Sequence, residues 1–222
     1  LVSVKEHKYG AMNPLAQFQK EVDLNSILNS YVISWPLRLY NSCPVSDGSS
    51  AVILASEKIA NQLTKDPIWI KGIGVASDSA NLSRRPDYLG IQSTVKAAND
   101  AYSMSKTSPK NFDVACVHDC FSIAEIMAYE DLGFCKKGEG GKLIQENQTY
   151  IGGSIPVNVD GGLKAKGHPI GATGTSMIVE ITKQLRNECG KRQAPIKNGL
   201  GLVHNVGGTG HSCYVTVLGV DK

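Results

Sequence analysis

Residues 161–174 read GGLKAKGHPIGATG and run into a helical pattern from about Thr173 to Glu188. Five glycines in these fourteen residues allow the backbone to approach a ligand closely, and they leave amide groups unpaired at the start of a helix. A flexible connection would combine glycine with serine and charge, whereas this stretch combines it with His168 and Pro169. The pattern therefore favours a shaped, functional turn that feeds a helix.

The pattern on both sides of this turn alternates between short apolar runs and amphipathic segments. Helices are predicted over Gly90 to about Met104 and Ser122 to about Leu132. Strands are predicted over Ala51–Ala55, Ile68–Ala76, Phe112–Val117, Leu200–Val203 and Cys213–Leu218, whereas residues 1 to about 40 are irregular in pattern. This alternation indicates a layered α/β domain.

Composition narrows the class of protein. The chain has 222 residues, 41% hydrophobic and 19% charged, which predicts a soluble globular protein with one large domain or one domain and an attached segment. A formal charge of +3 without basic runs argues against nucleic acid, and no apolar run is long enough for a membrane helix. Six cysteines without a signal peptide favour a cytoplasmic, reducing setting. Since the sequence begins with Leu1, we expect a piece of a longer protein.

A second segment, Val117–Phe121, crosses from a predicted strand into a helix. His118 and Cys120 can both face a cleft there, and the helix dipole would lower the pKa of the Cys120 thiol. Ser122 and Glu125 have the spacing of a capping box. The alternative interpretation is a buried cysteine beside a capping aspartate.

A third segment, His204–Gly210, joins the last two predicted strands. Its glycines are typical of a tight turn. They can equally supply amide donors to an oxyanion, with His204 or Asn205 at the strand end. The residues alone leave both interpretations open.

Taken together, these three segments resemble the thiolase superfamily over nearly the whole chain. Residues 167–174 are similar to its histidine motif, and residues 118–121 (HDCF) to the variant found in sterol-carrier-protein thiolases and archaeal acetoacetyl-CoA thiolases. Residues 129–134 and 184–193 resemble the archaeal branch. The resemblance implies a layered βαβαβαββ domain, half of the five-layered αβαβα thiolase fold.

The resemblance also implies a division of the chain. Residues 1–65 would be the end of the loop region with the last strand and helix of the N-terminal half, and residues 66–222 the C-terminal thiolase domain. The nucleophilic cysteine of the family lies in the first half, so the chain alone should not turn over. Coenzyme A thioesters are then substrates, and no cofactor is implied.

Roles follow from the resemblance, position by position. His168 matches the base that activates the nucleophile, and His118 the position that holds an oxyanion-hole water. Asn205 stands where conventional thiolases have an acid/base cysteine, so Cys120 becomes the implied proton carrier. The Gly207 amide would serve a second oxyanion hole.

The resemblance also implies binding partners and a direction of the reaction. The resemblance implies acyl-CoA as substrate, an N-terminal half, and a homodimer or tetramer. It also implies a hydroxymethylglutaryl-CoA synthase with a zinc-ribbon/OB-fold scaffold, and it favours acetoacetyl-CoA synthesis for the mevalonate pathway. Acyl-chain length is left open.

Two rival functions remain. Cys116, His118 and Cys120 alternate along the chain and, with His204, would make a tetrahedral zinc set. A non-enzymatic lipid carrier is the other rival, because the variant family includes proteins fused to a sterol carrier domain.

Overall fold

A computed structural model describes residues 1–220 of the chain. Its helices are α1 (Val2–Gly10), α2 (Leu24–Leu28), α3 (Glu57–Leu63), α4 (Gln92–Ser105), α5 (Ser122–Asp131), α6 (Gly140–Gln145) and α7 (Thr173–Leu185). Its strands are β1 (Val32–Ser34), β2 (Leu37–Arg38), β3 (Trp69–Ser77), β4 (Val114–Val117), β5 (Leu200–Gly207) and β6 (Ser212–Gly219). None of these helices is long and apolar enough to cross a membrane.

The central element is a four-stranded mixed sheet in the order β3-β6-β5-β4. Strands β4 and β5 are parallel, and the other neighbours are antiparallel. Because parallel strands end at the same edge, the segments after β4 and at the end of β5 meet there. These are the two segments that carry His118 and Asn205.

Helices cover one face of the sheet more completely than the other. On one face α4 lies close over β3, since a Cβ on Gly74 would come within 1.8 Å of the Ala97 carbonyl oxygen. On the other face α7 buries Met177 and Ile181 against β4 and β5. The part of this second face formed by β3 and β6 is uncovered, and its exposed apolar side chains are Ile70, Ile73, Val75 and Tyr214.

The predicted α/β fold is confirmed, with the predicted helices and the strands that form the main sheet found within a few residues. Between α5 and α7 the structure has α6 and an isolated parallel bridge, Ala115 to Val157, where the implied element order has a strand. Residues 1–40 are more regular than predicted, since α1 packs its buried side chains against the turn at Gly162–Lys166.

The strand predicted over residues 51–55 is absent, and Ile53 and Leu54 are exposed. A single apolar run forms a strand only when a neighbouring strand pairs with its backbone, and within residues 1–220 no strand pairs with this segment.

The predicted capping box at the start of α5 is also wrong. The helix begins at Ser122 as predicted, but no side chain caps it. Glu125 is instead fully buried and pairs with Lys5 of α1, because that charge requires a partner away from water.

Candidate active site

The glycine-rich turn holds His168 in one orientation. Gly161 and Gly167 have φ angles of 106° and 110°, which favour glycine. The His168 amide donates to Ser46 Oγ at 2.9 Å. Its Nδ1 atom lies 2.7 Å from Thr173 Oγ1, which itself donates to the Pro169 carbonyl at 3.1 Å.

These contacts define the tautomer of His168. A threonine hydroxyl has one proton, and Thr173 gives its proton to Pro169. With the Thr173 hydroxyl donating to Pro169, we assign the proton of the neutral ring to Nδ1 and the lone pair to Nε2. Burial and the neighbouring His118 lower the pKa of His168, so the neutral form is favoured.

His118 lies beside His168 at the end of β4. The two rings are 5.0 Å apart between centroids and nearly perpendicular, at 82°. His118 Nδ1 lies 2.9 Å from Asn205 Oδ1 and donates to it, since an amide oxygen only accepts. Burial lowers the pKa of His118.

Cys120 lies next to this pair of histidines, but the pKa of its thiol differs from the sequence prediction. Its carbonyl accepts a hydrogen bond of 2.9 Å from the Cys43 amide. Burial, followed by the nearby Asp119, raises the pKa of the Cys120 thiol to about 11. The predicted lowering by the helix dipole is wrong, because the thiol precedes the first helical turn and is largely desolvated.

The remaining predicted residues lie on β5. His204 is 1% exposed, with Nε2 3.0 Å from Thr94 Oγ1, and burial lowers its pKa to about 3. Asn205 packs against the start of α7, where a Cβ on Gly174 would lie 2.9 Å from its Nδ2 atom. Gly207 is the exposed last residue of the strand. The structure thus gathers the five predicted residues that have side chains, with the Gly207 backbone just beyond Asn205.

Beneath these residues lies a buried charge network that the sequence analysis missed. Lys164 Nζ is 2.9 Å from both Glu6 Oε2 and Asp119 Oδ2. Burial tends to raise the pKa of Asp119, but Lys164 outweighs it and holds that pKa at about 2. Burial and Asp119 raise the pKa of Glu6 well above its ordinary value.

The network connects the two functional segments. Asp119 accepts hydrogen bonds from the Leu163 amide at 3.0 Å, and Lys164 also donates to the Asp119 carbonyl at 2.8 Å. The segment that carries His118 and Cys120 is therefore tied to the turn before His168. Thr173, Ser46 and this network are positioning groups to which the sequence analysis assigned no role.

The alternative zinc set is not assembled. Cys116 packs into the core beneath α7, because β4 ends at Val117 and the alternation along a strand stops there. Among the described residues, the one group of metal-ligating side chains with ligand atoms within 4.8 Å of each other is Glu6, Asp119 and Glu125. Lysine ammonium groups already pair with these carboxylates.

A mixed sheet covered by helices, with His118 and Cys120 after one of its parallel strands and His168 facing His118 from a glycine-rich turn, defines an α/β protein with an enzyme-like site. Residues 74–220 match the family described as thiolase C-terminal domain-like, and the chain belongs to this family.

Individual relatives agree with the family assignment. An acetyl-CoA acetyltransferase of Methanothermobacter thermautotrophicus is 45% identical over 98% of this chain and 56% of its own length. Sterol carrier protein 2 of Bos taurus is 38% identical over 91% of this chain and 38% of its own length. The chain thus spans about half the length, or less, of these curated relatives.

A solved structure, an Ltp2-ChsH2(DUF35) aldolase, superposes with a TM-score of 0.87. The two sequences are 27% identical, and the superposition covers 100% of this chain and 57% of the aldolase chain.

Proposed function

We propose that this chain is the C-terminal part of a thiolase subunit that transfers acyl groups to and from coenzyme A. The reaction is Claisen condensation of acetyl-CoA to acetoacetyl-CoA, or thiolytic cleavage of a 3-ketoacyl-CoA. The nucleophilic cysteine is supplied by an N-terminal half outside this chain. The observation that carries the proposal is the free Nε2 atom of a neutral His168, facing His118 at the sheet edge.

His168 acts as the general base of acylation. The lowered pKa keeps the ring neutral near pH 7, and the Thr173 contact directs the lone pair to Nε2. A neutral imidazole held in this way accepts the proton of the nucleophilic thiol, and the thiolate attacks the thioester carbonyl. After proton transfer, the imidazolium Nε2 can donate to the thioester oxygen.

His118 and Gly207 serve the oxyanions. His118 is fixed through Asn205, and it holds a water at the first oxyanion hole. The backbone amide of Gly207, at the exposed end of β5, provides the second. Asn205 is thus a positioning residue.

Cys120 carries the proton to and from the α-carbon of the second substrate. Its raised pKa keeps it protonated at neutral pH, which suits a proton donor to a carbanion in thiolysis. In condensation the same sulfur must accept the proton, and the developing imidazolium of His168 would favour that thiolate transiently.

The test is acyl transfer by the complete subunit. We expect thiolysis of acetoacetyl-CoA by CoA, followed as loss of the 3-ketoacyl group, to fall at least 100-fold in His168→Asn. His211→Asn is the matched control, because His211 is exposed and the Nδ1 atom of its ring contacts the Asp78 carbonyl. Lipid exchange without acyl transfer by the unaltered subunit would instead support a carrier.

The uncovered apolar face supports an N-terminal half as partner. Ile73 and Val75 of β3 and the segment at Ile53 expose apolar surface of the kind that another domain buries. We propose that the missing half covers this surface, and that complete subunits form a homodimer or tetramer. A stable, monodisperse monomer formed by residues 1–222 alone would contradict this.

A larger assembly is proposed from the archaeal resemblance. A hydroxymethylglutaryl-CoA synthase and a zinc-ribbon/OB-fold scaffold would receive the ketoacyl thioester. Co-purification of these proteins with the complete subunit from native cells is the expected result. Elution of the subunit alone at low salt would contradict it.

A further inference from the structure

Two cysteines face each other beside the proposed catalytic histidines. Ser42 and Phe121 form an isolated antiparallel bridge, and the Cys43 amide donates to the Cys120 carbonyl at 2.9 Å. In this register Cys43 lies directly opposite Cys120. Opposite residues of an antiparallel pair have Cα atoms on the order of 5.5 Å apart, and their side chains lie on the same side. Neither thiol is in a disulfide bond in this structure.

The packing of the two side chains agrees with this register. Cys43 and Cys120 are both half-buried and pack against the same buried cluster, which includes Cys116 and Leu163. The third half-buried cysteine, Cys135, packs against the other core cluster of the domain. Among the described residues, Cys43 is therefore the thiol that the fold brings next to Cys120.

The spacing of the pair suits a disulfide bond that is easily broken. Cα atoms joined through a disulfide are usually about 4.4–6.8 Å apart, a range that includes the spacing of an antiparallel pair. Opposite Cβ atoms are about 4.5–5.5 Å apart, whereas a relaxed disulfide holds them at about 3.5–4.5 Å. A bridge at this place would therefore be strained, and a strained disulfide is readily reduced.

We propose that Cys43 and Cys120 form a reversible disulfide when the protein meets a peroxide, and that this bridge withdraws the Cys120 thiol from catalysis. Cys120 lines a cavity next to His118, and hydrogen peroxide is small enough to enter there. The effect on catalysis rests on the proposed function, in which Cys120 carries the proton of the α-carbon. Formation of the bridge does not depend on that function.

The oxidation consumes one molecule of hydrogen peroxide. The Cys120 thiolate attacks a peroxide oxygen, the O–O bond breaks, and the departing hydroxide takes up a proton to become water, which leaves a sulfenic acid on Cys120. The Cys43 thiolate then attacks this sulfur, the S–O bond breaks, a second water leaves in the same way, and the S–S bond forms. Two electrons pass from the two sulfurs to the peroxide, and a dithiol restores both thiols by exchange.

The ionisation of the two thiols sets the rate of this oxidation. Thiolate is the reactive form, and burial raises the pKa of Cys43 and raises that of Cys120 to about 11. Well below this pH, the thiolate fraction grows about tenfold for each pH unit. The bridge therefore forms slowly at neutral pH, which suits a response to sustained exposure.

The first test maps the bridge in the complete subunit. After treatment with hydrogen peroxide and alkylation of the remaining thiols, we expect a non-reduced digest to contain a linked Cys43–Cys120 peptide that dithiothreitol separates. The initial rate of its formation should rise about tenfold between pH 7 and pH 8. Linkage of Cys120 to a different cysteine, or an unlinked Cys43 when Cys120 is oxidised, would overturn the proposal.

The second test removes the opposing thiol. Cys43→Ser keeps the proposed proton carrier, so its condensation rate without peroxide should equal that of the unaltered subunit. With peroxide the sulfenic acid on Cys120 should persist in Cys43→Ser, and it should react with dimedone several-fold more than in the unaltered subunit. Cys135→Ser is the matched control and should form the linked peptide normally. Equal dimedone labelling of Cys120 in Cys43→Ser and the unaltered subunit would refute the role of Cys43.

The third test concerns the reaction itself. The bridged subunit should lose isotope exchange at the α-carbon by at least 100-fold and regain it with dithiothreitol, because the bridged sulfur carries no proton. The acylation burst of the same sample reports that the nucleophile is intact. Exchange retained by a fully bridged subunit would refute the effect on catalysis. Thiolysis of acetoacetyl-CoA by the reduced subunit reports the proposed function separately, so a failure of that function is distinguishable from a failure of the bridge.

Discussion

The Nδ1 atom of His118 lies 2.9 Å from the Oδ1 atom of Asn205, across 87 residues of sequence. Asn205 occupies the position at which the resemblance expects an acid/base cysteine, and here its amide accepts a hydrogen bond from the neighbouring histidine. Asn205 has no thiol to act as an acid or base, but its side chain fixes the ring of His118 at the mouth of the site.

The charge at position 205 should control the ionisation of His118. In Asn205→Asp a carboxylate replaces the amide oxygen beside Nδ1, and an adjacent negative charge favours the protonated ring. We expect the His118 resonance to titrate at higher pH than in the unaltered subunit, and the acid limb of the pH profile to move the same way. Asn205→Ser, without a charge, should leave the acid limb near its original pH; an unmoved limb in both variants would contradict this.

Thr173 should matter for acylation as the group that orients His168. Thr173→Val removes the acceptor for Nδ1, so the ring loses its preferred tautomer. We expect the acylation burst with acetyl-CoA to slow by about 10-fold to 100-fold, part of the usual worth of a general base. Thr175→Val, in the same helix without that contact, is the control. Equal burst rates in the two variants would show that Thr173 does not orient the base.

Cys120 should separate the two half-reactions. Cys120→Ala should leave acylation of the nucleophile nearly intact and reduce condensation by roughly 100-fold to 10,000-fold. Isotope exchange at the α-carbon and the acylation burst measure the two steps. Condensation at a near wild-type rate in Cys120→Ala would mean that His118 or His204 is the proton carrier.

His204 should make the fold sensitive to acid. Its folded pKa of about 3 lies below the ordinary value of ~6.5, so the unfolded chain binds the extra proton first. The stabilising contribution is complete above pH 6.5 and is lost as pH falls toward 3. Between pH 7.5 and 5 the loss is about 2 kcal/mol, from ~1.5 pH units at 1.36 kcal/mol each.

Thermal unfolding of the complete subunit measures this effect. The fall in Tm between pH 7.5 and pH 5 should be smaller in His204→Gln, which has no group titrating there. An equal fall in Tm in both proteins would mean that a group other than His204 causes the acid sensitivity.

The two carboxylates that face Lys164 should respond differently to neutralisation. Burial and Asp119 raise the pKa of Glu6 well above its ordinary value, so Glu6→Gln should lower Tm less than neutralisation of Asp119 does. Asp119 is charged and holds Lys164 and the Leu163 amide, so Asp119→Asn should destabilise by about 3–5 kcal/mol, as when one partner of a buried pair is removed. Equal losses of Tm would mean that both groups are ionised.

Much of the fold was predictable because the sequence patterns that specify its helices and strands are local. The helix pattern after residue 173 and the strands on either side of the turn at residues 208–211 are set by apolar spacing, and the structure has them within a few residues. The strand predicted over residues 51–55 failed because pairing depends on a neighbour that spacing does not reveal.

At the site, the residues were predictable but their chemistry was not. His118, His168 and Cys120 were selected from short motifs, and the structure brings them together. The raised pKa of Cys120 depends on burial and on Asp119, which only the packed structure shows. Lys5 and Glu6 were invisible because their partners lie more than 110 residues away.

The buried charge network has a consequence for the order in which the chain assembles. Lys5 reaches Glu125 across 120 residues and the Val157 carbonyl across 152, so these contacts close some of the longest loops in the protein. Contacts of such long sequence separation form slowly, because closing a long loop costs conformational entropy. We therefore expect α1 to dock late in folding, against the turn at Gly162–Lys166 and against α5.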